Sequence, residues 1–183
     1  TLTRRDLCKR MAGGVAAATL APAPRLFADE AKKSAFRFDY ILASCMYGTT
    51  KLAEILPEVK KIGATHIDIW PRVHGNQREQ VAEMGVDRFA ELLAENDVKL
   101  GMFTQYKLGP FRLQGEMEIV KKLGGRLLIA GSTKQSDKDI RGQVKAFVEK
   151  MRPHIAAAEK HGLTIGIENH GGALIKSPDS MRW

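Results

Sequence analysis

The sequence predicts an α/β protein whose parallel strands belong to a (β/α)8 barrel, with about five β/α units present. Three observations lead to this prediction. Short apolar segments alternate with amphipathic segments from residue 36 onwards. No strand is followed by the glycine-rich phosphate-binding loop of many open α/β sheets. Polar or aromatic residues follow nearly every strand, whereas an open sheet concentrates such residues at one switch point.

The predicted elements follow one another in regular order. Strands are expected at 38–45, 65–70, 99–106, 126–132 and 163–169, and helices at 51–62, 87–96, 113–123 and 139–161. The helices carry apolar residues three and four positions apart, which is the spacing of one buried face. The clearest stripes are Leu52, Ile55, Leu56 and Val59; Phe89, Leu92 and Leu93; and Ile140, Val144, Phe147, Val148, Met151 and Ile155. Strands separated by helices favour parallel pairing.

The fifth predicted strand carries the most informative pattern. Leu163, Ile165 and Ile167 alternate with small or polar residues, so one face is apolar and the other ends in Glu168 and His170. A polar cluster at the carboxyl end of a parallel strand is where such folds place their chemistry. A carboxylate there can bind a metal ion or carry a proton. A strand-end cap or ion pair explains Glu168 equally well from the local pattern alone.

The second predicted strand offers further candidates. His66, Asp68 and Trp70 share one face, and they point to the barrel interior if the intervening isoleucines face the helices. An interior carboxylate needs a partner, which we expect Asp68 to find in His66 or in a metal-site group. Trp70 is a candidate to stack on a sugar face or an ordinary rim aromatic. His74, in the following loop, is a candidate substrate or metal contact.

The N-terminal segment is typical of an export signal. Arg4 and Arg5 precede a weakly apolar stretch at 11–20 and small residues at 21–28, which matches a twin-arginine signal for transport across a bacterial membrane. We therefore expect a signal peptide at 1–28, a linker at 29–35, a barrel domain at 36–183, and a periplasmic or otherwise exported protein. A basic amphipathic helix is the alternative.

Charge and hydropathy limit the partners. Residues 1–28 hold five basic residues and one acidic residue, so about half of the net charge of +8 belongs to the predicted signal. The remaining excess is mild, and we expect no nucleic-acid partner. The apolar stretch is too short for a stable membrane span, so no stable membrane insertion is expected.

Two runs of residues resemble a known family. His154 to Gly162 contains the pattern A-E-x-x-G, and the following strand ends in I-E-N at Ile167, Glu168 and Asn169. Both features resemble the xylose-isomerase-like sugar phosphate isomerases and epimerases. The resemblance covers roughly residues 36–183 and includes His66 to Pro71 on the second strand. The twin-arginine leader is similar to those of exported bacterial members.

The resemblance implies a divalent metal ion (Mn²⁺, Mg²⁺, Co²⁺ or Zn²⁺) at the carboxyl-terminal mouth of the barrel. Glu168 matches the first ligand of that family, and the other ligand positions would lie beyond Trp183, so the resemblance implies a chain truncated after the fifth strand. It also implies a small carbohydrate or related hydroxy-carbonyl substrate that is isomerised or epimerised. The residues expected to contact this substrate are His66, Asp68, Trp70, His74, Asn169 and His170.

Two alternatives stay open at this point. An endonuclease IV-type phosphodiesterase shares the barrel, but it needs several histidine ligands and a basic groove, and no histidine ends the third or fourth strand. A non-catalytic fragment or binding protein would also fit, because the expected metal site is incomplete. Five units would leave two open sheet edges, which favours aggregation.

Overall fold

Five parallel strands in sequential order form the centre of the protein. The computed structural model describes residues 38–183, so the predicted signal at 1–28 and linker at 29–35 lie outside the described residues. The strands are β1 (Ile41–Ala43), β2 (His66–Ile69), β3 (Lys99–Thr104), β4 (Leu127–Gly131) and β5 (Thr164–Glu168). Each strand pairs with the next one along the chain, in the order β1-β2-β3-β4-β5. This confirms the predicted α/β fold with five parallel strands.

Helices connect the strands. They are α1 (Leu52–Lys61), α2 (Gln77–Met84), α3 (Val86–Glu95), α4 (Gln114–Lys122), α5 (Ile140–Lys160) and α6 (Pro178–Arg182), with a 3-10 helix at Ser44–Tyr47. The bounds of α1, α3, α4 and α5 agree with the predicted helices to within a residue or two. No helix in residues 38–183 is both long and apolar enough to cross a membrane.

Two local features differ from what the sequence analysis gave. The first strand was expected from residue 38, but β1 begins at Ile41, and Phe38 and Tyr40 are exposed. Only the three residues of β1 pair with β2. No element was predicted between the second strand and the helix at 87–96, where the structure has the additional helix α2.

The main core lies between the sheet and the helices. The predicted stripes of α1 and α3 are buried in it, together with Ile67 and Ile69 of β2. A second cluster joins Val144, Phe147 and Met151 of α5 to residues after β5. Two residues of the expected α5 stripe, Val148 and Ile155, are instead exposed. At 100° per residue they lie roughly 50–70° to one side of the buried line, so they miss the contact surface.

The orientation of β5 agrees with its alternating pattern. Ile165 and Ile167 both pack against the cluster built on α5. Successive side chains of a strand point to opposite faces. Glu168 therefore belongs to the face opposite α5.

Candidate functional site

The carboxyl ends of the parallel strands place several polar side chains at one edge of the sheet. Thr104 ends β3 and Glu168 ends β5, while Asp68 lies one residue before the end of β2. Parallel strands bring these ends together, which is why (β/α)8 barrels build their sites there.

Asp68 is the most buried carboxylate at this edge, with 5% of the residue exposed. It accepts a hydrogen bond of 2.5 Å from the indole N–H of Trp70. The Thr104 hydroxyl lies 3.0 Å from both carboxylate oxygens. The partner was expected to be His66 or a metal-site group. His66 is not the partner, because its imidazole pairs with the Thr65 hydroxyl at 2.8 Å.

The pairing of β2 with β3 explains this choice of partner. Ile67 aligns with Leu100, but Asp68 aligns with Met102, because the register shifts by one residue between Ile67 and Asp68. Thr104 lies two residues after Met102, and residues two apart in a strand share a face. The hydroxyl of Thr104 is thereby brought to the carboxylate.

Burial raises the pKa of Asp68 to about 7. The hydrogen bonds from Thr104 and Trp70 act against this rise because they favour the carboxylate. The negative charge of Glu168 raises the Asp68 pKa further. The two carboxylates are thus close enough to interact electrostatically. Burial and the charge of Asp68 also raise the pKa of the Cys45 thiol.

Three aromatic rings line the mouth beside Asp68. The Trp70 ring centroid lies 5.4 Å from that of Tyr106 and 5.7 Å from that of His74, the latter in an edge-on arrangement. The backbone N–H of Trp70 donates to the Ser44 hydroxyl at 3.0 Å. Trp70 is therefore held both by its backbone N–H and by its indole N–H.

A cavity of about 290 Å³ opens next to these rings, and we call it the mouth cavity. It is lined by His74, Tyr106, Gly109, Gly131, Ser132, His170 and Ala173. The volume is near the lower end of the roughly 300–1,000 Å³ that small-molecule sites occupy. The mouth cavity thus brings together two of the predicted histidines, His74 and His170.

The tautomer of His170 follows from its contact. Its Nδ1 lies 2.7 Å from the backbone carbonyl oxygen of Gly171. A carbonyl only accepts, so Nδ1 carries the proton, and in the neutral ring Nε2 is left as an acceptor. His170 therefore offers a lone pair that can take a proton or bind a metal ion.

The remaining predicted residues are placed differently. Glu168 and Asn169 are exposed at and just after the end of β5. His66 begins β2, two residues before Asp68, and lines a separate cavity with residues of α3 and α4. The structure therefore groups Asp68, Trp70, His74 and His170 near Glu168 but does not bring His66 to the mouth cavity.

The expected metal ion can be tested against the donors present. Residues 38–183 contain no cluster of three or more histidine, cysteine, aspartate or glutamate side chains placed to hold a metal ion. Glu168 is one hard oxygen donor, whereas a zinc site uses at least three protein ligands. The described residues therefore do not fit a complete metal centre.

Two contributors to the site were not predicted as such. Thr104 and Ser44 are both buried and hold Asp68 and Trp70 in place. The only sequence signal is that each is a hydroxyl residue near the end of an apolar strand. Tyr106 is the last residue of the third predicted strand, but its place in the mouth cavity depends on the loop after β3.

The model of the xylose isomerase-like TIM barrel family matches residues 56–182, which is more than half of the chain. The chain belongs to this family. No curated protein sequence matches it significantly.

Solved structures of family-like barrels share this fold. A structure of the IOLI protein with a bound zinc atom superposes with a TM-score of 0.65 at 17% identity, covering 79% of this chain and 56% of that one. A xylose isomerase-like TIM barrel protein from Mycobacterium smegmatis in complex with magnesium gives 0.60 at 13% identity, with coverage of 79% and 59%. The 3-keto-D-glucoside 4-epimerase YcjR from E. coli gives 0.60 at 12% identity, with coverage of 79% and 62%.

These similarities establish the architecture as part of a barrel. This member of the xylose isomerase-like family spans a little over half the length of the structures it matches.

Proposed function

We propose that the protein is a metal-dependent isomerase or epimerase that acts on a sugar or a related hydroxy-carbonyl compound. The observation that carries the proposal is the position of Glu168 at the end of β5, where its charge acts on Asp68 and where its strand partner Gly131 lines the mouth cavity. Similar structures include an epimerase of a keto-glucoside and a D-tagatose 3-epimerase-like protein, at 12% and 13% identity.

The described residues supply groups suited to this chemistry. Isomerisation and epimerisation next to a carbonyl both require a proton to leave and return to carbon, and a carboxylate or an imidazole can carry it. Asp68, Glu168 and His170 are the candidates at the mouth. The rings of Trp70 and Tyr106 offer apolar faces for the C–H groups of a sugar.

Glu168 is proposed as one ligand of a divalent ion, because zinc and magnesium occur in two of the similar barrels. The complete ligand set is not present in residues 38–183. We also propose that the protein acts outside the cytoplasm, on the basis of Arg4 and Arg5.

Hydrogen exchange at carbon tests the proposed reaction. Because residues 38–183 lack a complete ligand set, the full-length gene product would be incubated with D-tagatose and Mn²⁺ in D₂O, and deuterium entering the sugar would be followed by NMR. Glu168→Gln keeps the shape of the side chain and removes its charge, so we expect exchange to fall by at least about a hundredfold, as for loss of a group used in proton transfer.

The control is Glu159→Gln, an exposed glutamate near the end of α5 on the outer side of the barrel. It should exchange deuterium like the wild type, and circular dichroism should show that both variants fold. Equal exchange by the wild type and Glu168→Gln would contradict the assignment of Glu168. No exchange with any ketose by the wild type would contradict the proposed reaction.

A further inference from the structure

We propose that the phenol of Tyr106 is a specificity-determining hydrogen-bond donor that binds one oxygen of the ligand in the mouth cavity. This inference rests on the proposed function, because it assumes a polyhydroxylated ligand. It assigns Tyr106 to ligand recognition, separately from Glu168 and from the proton-carrying groups.

The first observation is an unpaired polar atom. The Tyr106 hydroxyl is buried from solvent and has no hydrogen-bond partner among the described residues. A buried hydroxyl without a partner is energetically costly, so such groups are normally satisfied. Three other buried polar atoms of the described residues also lack partners, on Gln77, Gln135 and His161, but none of these residues lines the mouth cavity.

The second observation is that the ring is held in place. Its centroid lies 5.4 Å from that of Trp70. A Cβ atom at Gly131 would lie 3.4 Å from Cδ1 of the ring, in ordinary van der Waals contact. The ring therefore lies beside Gly131 at the end of β4. A donor fixed in this way loses little conformational entropy when it binds a ligand.

The third observation is the chemistry of the other groups around the mouth cavity. His170 presents Nε2 as an acceptor, because its Nδ1 faces the Gly171 carbonyl at 2.7 Å. A sugar hydroxyl can accept a hydrogen bond from a phenol and donate one to an imidazole nitrogen. Tyr106 and His170 therefore form a donor and acceptor pair suited to an alcohol group, beside the apolar face of Trp70. This combination favours a small polyol or hydroxy-ketone over an apolar ligand or a multiply charged anion.

Tyr106→Phe removes the hydroxyl and keeps the ring. Binding of D-tagatose would be measured by isothermal titration calorimetry on the wild-type chain and on the variant, together with the thermal melting temperature without sugar. We expect binding to be about two- to tenfold weaker in the variant, which corresponds to one lost hydrogen bond. The melting temperature should stay unchanged or rise, because the variant loses no internal partner.

Tyr40→Phe is the matched control, because Tyr40 is exposed before β1 and does not line the mouth cavity. It should change neither binding nor melting temperature. Wild-type affinity in Tyr106→Phe, or a melting temperature several degrees lower, would overturn the inference.

Failure of this inference is distinguishable from failure of the proposed function. If Tyr106→Phe binds normally while the wild type exchanges deuterium into the ketose, only the inference about Tyr106 is wrong. If the wild type neither binds D-tagatose nor exchanges deuterium, both are wrong.

Discussion

Asp68 is buried beside two hydrogen-bond donors, but the partners found for it in residues 38–183 include no cation. Its pKa is raised to about 7 in the folded protein, against about 3.9 for an unfolded chain. Between these values the folded state binds more protons than the unfolded state. Asp68 therefore makes its full contribution to the free energy of unfolding below about pH 4. This contribution decreases as the pH rises to about 7.

Asp68→Asn should remove this pH dependence, because an amide does not titrate. The unfolding free energy of the wild type minus that of the variant should decrease by up to about 4 kcal/mol from pH 4 to pH 7. Urea denaturation measures both values. Asp39→Asn, which changes an exposed aspartate before β1, should retain the wild-type slope. Parallel pH profiles for wild type and Asp68→Asn would show that Asp68 titrates normally.

At the residue scale, strand alternation predicts which side chains share a face, but it does not predict their partners. The pattern of β5 correctly predicted that Ile165 and Ile167 face a helix. It could not predict that Thr104 holds Asp68, because that contact depends on the register shift between β2 and β3. The proposed roles of Glu168, Asn169 and His170 stay predictions.

At the scale of elements, a buried ion pair joins two helices behind the mouth. Arg78 of α2 donates to both carboxylate oxygens of Glu116 of α4, at 2.7 and 2.9 Å. Gln105, after β3, donates to the same carboxylate at 2.8 Å. The backbone N–H of Arg78 also donates to the carbonyl of Trp70 at 3.0 Å. The pair thus links α2 and α4 to the segments that carry Trp70 and Tyr106.

Glu116→Ala should leave the guanidinium of Arg78 buried without its counter-charge. The two side chains are only 14% and 11% exposed. We therefore expect the free energy of unfolding to fall by about 3–5 kcal/mol, measured by chemical denaturation.

Glu149→Ala provides a control with the same geometry in solvent. Arg152 contacts Glu149 at 2.7 and 2.9 Å, but these side chains are 67% and 65% exposed. The loss of Glu149 should lower the free energy of unfolding far less than the loss of Glu116, because solvent screens this exposed pair. Equal losses in the two variants would show that burial does not decide the contribution of the Arg78–Glu116 pair.

Helix prediction succeeded where an apolar stripe packs against the sheet and failed where polar groups hold the helix. In α1 the stripe from Leu52 to Val59 is fully buried, as predicted. In α2 the only fully buried apolar residue is Val81. Buried Gln77 instead donates to the carbonyls of Gly48 and Thr50, at 2.8 and 3.0 Å. Such contacts form only in the folded chain, so local periodicity does not reveal them.

At the scale of the whole molecule, the alternation of strands and helices was enough to predict the architecture. Each β/α unit is specified by neighbouring residues, and the strands pair in chain order from β1 to β5. A metal centre is different, because its ligands come from separate strands of a barrel. Of the metal ligands that the family resemblance implies, only Glu168 lies within the described residues. The sequence pattern of β5 could therefore point to one proposed ligand but not to a complete site.

The location of the protein depends on the segment that precedes the barrel. Arg4 and Arg5 stand before a weakly apolar stretch, which is the pattern of a twin-arginine signal. If residues 1–28 are such a signal, the paired change Arg4→Lys and Arg5→Lys should retain a fused fluorescent reporter in the cytoplasm. The charge is unchanged, so the loss would come from the guanidinium groups.

Fractionation of bacterial cells into periplasm and cytoplasm measures this export. Arg25→Lys, after the apolar stretch, is the matched control and should leave the reporter in the periplasm. Because the control makes the same chemical change in the same segment, a difference between the two variants would assign export to the arginine pair. Periplasmic reporter in the paired variant, at the level of the control, would contradict the twin-arginine assignment and with it the proposal that the barrel works outside the cytoplasm.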